Sequence, residues 1–213
     1  MYNFNHTIEH SYQIINLSNL NSLRQNYNEL VKDPYCDEMR YRRIAYFSYD
    51  QSSETFSLLP NHSYWQNKDY NTHLGGVHRH FSAINPNFCN SAYFRNILKT
   101  FVNSICLSKN LKLSVHMIRV STKSGKESVT APEGIHQDGY KRVAILVVDR
   151  NNIQGGITNL YKNKNSSPIF SKKLAIGEMV VINDERLFHS VSNIKAKTAN
   201  SNGYRDILIL TAQ

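Results

Sequence analysis

PEGIHQDGYKRVAILVV, residues Pro132 to Val148, opens like a turn and closes as an almost purely apolar run. RVAILVV has the length and β-branched content of a buried strand. On an extended backbone residues i and i+2 share a face, so His136 and Asp138 project together at the threshold of that strand while Gln137 turns away. Two metal-binding side chains placed this way need only a third. His189 in RLFHSV is the candidate, because Leu187, His189 and Val191 share a face and aim the imidazole inward among apolar neighbours. Two imidazoles and one carboxylate grip a metal on one side and leave the other open, the arrangement of non-haem Fe(II) oxygenases. A structural zinc site would instead close all four positions, usually with Cys or His. For His-x-Asp taken alone, a surface turn beside an unrelated core histidine is the weightier reading.

Outward from this stretch, LKLSVHMIRV, GGITNLY, EMVVIND, LFHSV and DILILT are further short β-rich runs, separated by Gly, Asn, Ser and Lys turns. No helical period lies between them, which favours a sandwich or jelly roll over a βαβ array. The tracts 163–173 (NKNSSPIFSKK) and 195–203 (KAKTANSNG) read as loops. Upstream, Phe94, Ile97, Leu98, Phe101, Val102, Ile105 and Cys106 predict a helix over 91–109 that packs one face on a sheet. Leu17, Leu20, Leu23, Tyr27, Leu30 and Val31 predict an earlier helix, capped by Ser18 or Asn19 and ended by Asp33-Pro34. Short strands are expected over 43–59 and a polar connection over 61–76. With 213 residues, 40% of them hydrophobic, the chain is expected to form one domain. Residues 1–110 would be its helical and mixed support and 111–213 its β core carrying the metal site.

Two arginines qualify the reading of His136 and Asp138. In GYRDILILT alternation puts Arg205, Ile207, Ile209 and Thr211 on one face, where a guanidinium is costly without an anionic partner. A dicarboxylate gripped bidentately would supply that partner; a protein acid, or the opposite strand phase, would also resolve it. Arg119 likewise alternates with Leu111, Leu113, Val115 and Met117, and could anchor a substrate carboxylate unless a bulge shifts the phase. Gly155-Gly156 inside a strand-like run marks a bulge or bend and permits close ligand approach.

The formal charge of +9 and pI near 9.4 raise the question of a polyanionic partner. Basic residues are scattered, however: RYRR at Arg40 to Arg43 is short, and Lys162, Lys164, Lys172 and Lys173 sit in a polar stretch. A small anionic substrate would be served equally well. Cys36, Cys89 and Cys106 form no CxxC and no disulfide framework. No secretory leader or membrane-length apolar run is evident, so a cytoplasmic protein is the expectation.

Taken together, PEGIHQDG, NIQGGITNLY, the Asn183-Asp184 pair preceding RLFHSV, and GYRDILILT resemble the 2OG-Fe dioxygenase family that includes the bacterial free-amino-acid hydroxylases of the isoleucine 4-hydroxylase type. RYRR, YNTHLGGVHRHF (Tyr70 to Phe81) and VHMIRV (Val115 to Val120) are similar to its upstream blocks, so the resemblance covers most of the chain. It implies a mainly β (α+β) double-stranded β-helix, a cupin-like jelly roll with flanking N-terminal helices. It implies Fe(II) held by His136, Asp138 and His189, with Arg205 on the distal carboxylate of 2-oxoglutarate and O2 as oxidant. Arg79, Arg119 and Glu133 become substrate-pocket candidates. The implied reaction is hydroxylation of an unactivated C–H of a small substrate, a free L-amino acid, with release of succinate and CO2. Related halogenases replace the metal carboxylate with a small residue, whereas Asp138 is retained here. The chain departs from the isoleucine hydroxylases at PEGIHQDGYKR, where those carry a tryptophan-containing lead-in.

Two other readings compete. An AlkB-like nucleic-acid demethylase shares HxD and a distal His, but SVSNI follows His189 in place of an arginine-bearing continuation, and no aromatic-basic stacking patch is evident. A non-catalytic cupin-like metal-binding module is the other. The expected partner is thus a small molecule, with no membrane or nucleic acid and with a homodimer admitted.

Overall fold

A computed structural model describes residues 11–36, 39–105, 107 and 110–213. In chain order its strands are β1 (Tyr12–Asn16), β2 (Val31–Lys32), β3 (Arg40–Asp50), β4 (Thr55–Leu59), β5 (Leu111–Thr122), β6 (Glu127–Ser128), β7 (Arg142–Asn151), β8 (Ile153–Gly155), β9 (Thr158–Tyr161), β10 (Phe170–Lys172), β11 (Glu178–Asn183), β12 (Phe188–Val191), β13 (Ile194–Ala196) and β14 (Gly203–Ala212). The helices are α1 (Asn21–Asn26), α2 (Pro86–Cys89) and α3 (Ala92–Ser104).

One large sheet runs β1-β11-β7-β14-β5-β3-β2, with β4 paired to β3, and these neighbours pair antiparallel. Two three-stranded sheets, β10-β9-β12 and β6-β13-β8, lie across from it. This is the double-stranded β-helix, or jelly roll. One face of the large sheet is covered by α1 and α3, where Phe47, Leu113, Met117 and Leu146 pack against Leu23, Phe94, Ile97 and Phe101. On the other face Ile118, Val120, Ile145 and Ile207 meet Ile153, Leu160 and Ile194 of the smaller sheets. A strand buried on both faces needs apolar residues at every position, and this explains RVAILVV in β7.

Several expectations shift. α3 begins as predicted, with Ser91 accepting the Phe94 N–H as its cap. It stops at Ser104; Cys106, Ser108 and Lys109 lie outside the described residues, as do 1–10. The earlier helix is only α1 followed by a 3-10 turn at Tyr27–Glu29, with Leu20 and no side-chain cap at its start. Leu20, Leu23 and Tyr27 still face the core, so the periodicity reported burial correctly and helix length incorrectly. The tract 163–173 contains β10, and 195–203 overlaps β13 and the first residue of β14. The N-terminal half is also more than support, since β1 to β4 are strands of the large sheet.

Candidate metal centre and active site

His136, in the turn before β7, forms an isolated antiparallel bridge with His189 of β12. The His136 N–H donates to the His189 carbonyl at 3.0 Å, and the His189 N–H donates back at 2.8 Å. This pairing brings the two rings to 4.4 Å between centroids. Asp138 completes the cluster: its carboxylate oxygens lie 3.7 Å from His136 Nε2 and 3.5 Å from His189 Nε2, and one ligand atom from each residue falls within 4.8 Å of the others.

The surrounding bonds aim these atoms. His136 Nδ1 is 3.0 Å from the Gly134 carbonyl, a contact that orients the ring with Nε2 toward Asp138. Asp184 is fully enclosed and accepts N–H bonds from Asp138, Gly139 and Tyr140, fixing the turn, while its Oδ1 lies 3.5 Å from His189 Nδ1. Gln66 Nε2 donates to Asp138 Oδ1 at 3.3 Å. Burial alone would raise the Asp138 carboxyl, but hydrogen bonds and charge from the two histidines hold it well below the usual carboxylate range. Against its own burial, His189 is raised to about 10 by Asp138 and Asp184. Without a metal His189 therefore keeps its proton at neutral pH, and a cation binding there would displace it. Two imidazole nitrogens and one ionised carboxylate then converge on one point, and among the described residues no fourth ligand of this type joins them. This donor set fits Fe(II).

The triad opens into a cavity also lined by Arg40, Arg42, Arg79, Glu133 and Arg205. Arg205 is 3% exposed, and its Nε and one terminal nitrogen have no hydrogen-bond partner among the described residues. Burial, and then the neighbouring Arg150, lower its pKa to about 9, a penalty that a carboxylate would relieve. The buried Thr158 hydroxyl on the same cavity is also unpartnered. This orphaned corner fits one carboxylate of 2-oxoglutarate. Gly156, at φ +65°, makes room for the Arg205 side chain, since a β-carbon there would lie 3.1 Å from Arg205 Cδ.

Arg79 and Glu133, two of the substrate-pocket candidates, line the cavity. Arg79 donates to Gln66 Oε1 at 2.8 Å, and Asn71 Nδ2 bridges Gln66 Oε1 and Glu133 Oε1 at 3.1 and 3.2 Å. Arg119 is a correction. It lies outside the cavity and is bound bidentately to Asp206 at 2.7 Å on both nitrogens, with Tyr204 stacked on its guanidinium. Its alternation with Met117 and Val115 is real, but that face meets the helices, while Ile118 and Val120 face the cavity. Sequence reasoning missed Arg40 and Arg42 as cavity residues; three arginines in RYRR masked the two-residue alternation that buries both. Gln66 carried no sequence signal, and Asn71 and Thr158 lay inside quoted blocks without being singled out.

A jelly roll with a two-histidine, one-carboxylate centre and an orphaned arginine defines a non-haem iron oxygenase. The family model described as 2OG-Fe dioxygenase matches residues 24–211, and the chain belongs to this family. It is therefore an oxidoreductase that uses Fe(II), 2-oxoglutarate and O2. The chain is 27% identical to the L-isoleucine-4-hydroxylase of Bacillus thuringiensis over 204 residues, spanning 92% of this chain and 83% of that protein. It is 22% identical to the 3(1)-hydroxy-L-isoleucine 4-dioxygenase of Pantoea ananatis, with 92% and 82% coverage. Among solved structures, a bsmA homolog from Methylobium petroleophilum superposes with TM-score 0.78 at 20% identity, covering 91% of this chain and 81% of that one. IDO from Bacillus thuringiensis gives TM-score 0.77 at 20% identity, with 95% and 90% coverage. Both share the fold.

Proposed function

We propose that this dioxygenase hydroxylates an unactivated C–H of a free L-amino acid, with His136, Asp138 and His189 as iron ligands and Arg205 as the anchor of 2-oxoglutarate. One observation carries the reading. The cavity that holds the three ligands also holds the Arg205 guanidinium, with two of its buried nitrogens unpartnered among the described residues, a second guanidinium at Arg79 and a carboxylate at Glu133, the charges needed for a dicarboxylate beside a zwitterion. The two hydroxylase relatives support the same substrate class. We also take residues 1–213 as one catalytic domain, because strands from both halves share the large sheet.

Bound iron supplies O2 activation coupled to oxidative decarboxylation of 2-oxoglutarate, so that one oxygen atom enters succinate and the other the substrate. The chain's own residues bind, orient and exclude water. Arg205 holds the distal carboxylate, Arg79 the amino-acid carboxylate and Glu133 the ammonium group. Ile118, Ile145, Ile207 and Ile209 form the apolar wall against which the reacting carbon rests. Pocket shape rather than an acid–base pair selects that carbon. Asp138 keeps the carboxylate that related halogenases replace with a small residue, which favours hydroxylation.

The test is anaerobic loading with Fe(II) and 2-oxoglutarate, then exposure to O2 with each of the twenty amino acids, scored by succinate and by a substrate mass gain of one oxygen. Turnover is expected for at least one amino acid. His136→Ala and Asp138→Ala should lose it together with iron binding, and intact turnover in His136→Ala would overturn the ligand assignment.

A further inference from the structure

The cavity holds more positive charge than 2-oxoglutarate and a neutral amino acid can balance. Arg40, Arg42 and Arg79 are 7%, 8% and 2% exposed and all line it. Arg40 is accounted for, since its Nε donates to the buried Asp33 carboxylate at 2.8 Å. Arg42 has no acidic partner among the described residues. Its terminal nitrogen donates to His116 Nδ1 at 2.7 Å, and His116 in turn sits 3.1 Å from Ser114 Oγ through Nε2. Burial, and then Arg42 itself, push His116 well below its ordinary pKa, so it is a neutral acceptor that holds Arg42 in place without cancelling its charge. The Nε atoms of both Arg42 and Arg79 are buried and unpartnered. Both guanidiniums lie against the Tyr64 ring, at 5.5 and 4.8 Å from its centroid, so one small molecule can reach both.

Charges can now be matched. Two positive charges of iron and that of Arg205 offset Asp138 and the two carboxylates of 2-oxoglutarate, and Arg40 offsets Asp33. Among the charges that line the cavity, Arg42, Arg79 and Glu133 remain, a surplus of one positive charge next to the substrate; Asp184 behind His189 and Arg150 beside Arg205 lie off the lining and are of opposite sign. Uncompensated buried charge is costly, and the natural remedy is a ligand carrying the opposite sign.

We propose that Arg42 and Arg79 form a second anion subsite, and that the substrate is an acidic amino acid with two carboxylates, one on each arginine, and its ammonium on Glu133. This rests on the free-amino-acid reading above and narrows it. The orientation leaves the methylene groups between the two carboxylates as the carbons facing the apolar wall and the metal.

The experiment compares aspartate, glutamate and 2-aminoadipate with asparagine, glutamine, leucine and isoleucine in the Fe(II)- and 2-oxoglutarate-loaded protein. It reads succinate formation, and separately the substrate-induced change in the absorbance of the anaerobic complex. One acidic amino acid is expected to exceed its amide in kcat/KM by at least about 100-fold, as a site built for a polar group rejects a ligand lacking it. Arg42→Gln should abolish that preference, and Arg42→Lys should retain part of it. Preference for an amide or an aliphatic amino acid, in turnover or in the absorbance change, overturns the second subsite while leaving the hydroxylase reading intact. An acid preference unchanged in Arg42→Gln removes Arg42 from it. Failure of every amino acid to couple, with iron and 2-oxoglutarate still bound, overturns both readings.

Discussion

At the scale of single residues, the site depends on small spaces as much as on charged groups. Gly156 sits at φ +65° with its would-be β-carbon 3.1 Å from Arg205 Cδ and 3.2 Å from an Arg150 terminal nitrogen. Gly156→Ala is both strained and crowded, and the strain falls on Arg205, the side chain proposed to receive the cosubstrate. The expected result is a loss of 2-oxoglutarate affinity of about tenfold with Fe(II) affinity unchanged, the energy of roughly one strained residue. Titration of 2-oxoglutarate into the anaerobic iron-loaded variant checks it, and wild-type affinity would reduce Gly156 to a plain turn residue. His189 and Arg205 were legible because each sits in a strand, where two-residue alternation fixes direction, and His136 and Asp138 because they lie two residues apart in the turn that enters β7. Arg42 was not, although it alternates too: with arginine at 40, 42 and 43 the buried positions carry no apolar contrast against the half-buried Arg43.

At the scale of elements, β5 and β14 show what alternation leaves open. Each is buried on both faces, so the pattern groups Arg119 with Met117 and Arg205 with Ile207 but does not say which group faces the cavity. The register shift in the β14–β7 pairing falls between Asp206 and Ile207, beside the Arg119–Asp206 pair. That pair is structural. Arg119→Met leaves the Asp206 carboxylate, 1% exposed, without its cation, at an expected cost of about 3 kcal/mol in unfolding free energy at pH 7. Burial already raises Asp206 above its ordinary value of 3.8, and Arg119 pulls it back only in part. Removing Arg119 raises the folded-state pKa further. Between the unfolded value and that higher folded value the native variant holds the extra proton, so its stability rises as pH falls. The deficit against wild type should therefore shrink on acidification toward pH 4 in denaturant titrations, and a pH-independent deficit would mean lost packing rather than an unpaired charge. The KM for 2-oxoglutarate should not change.

At the scale of the molecule, part of the +9 charge that suggested a polyanionic partner is not on the surface. Arg40, Arg42, Arg79, Arg142 and Arg205 are buried, and all but Arg142 line the cavity, where they can bind small anions. Composition cannot separate these two uses of arginine; only the fold does. The same fold sets the metal across a seam. His136 and Asp138 stand before β7 of the large sheet and His189 on β12 of a small one, joined otherwise by two backbone hydrogen bonds and by the reach of Asp184. A metal binding all three ligands therefore staples one sheet to the other. Anaerobic Fe(II) at 100 times its dissociation constant should add about 2.7 kcal/mol of stability, and raise the unfolding midpoint by roughly 5–10 °C in a chain this size. The gain should be local as well as global, with hydrogen exchange slowing most at 132–140 and 188–191 and least along the helix-covered strands. His136→Ala should show neither effect. Equal protection along the whole large sheet would place the bound metal somewhere other than this seam.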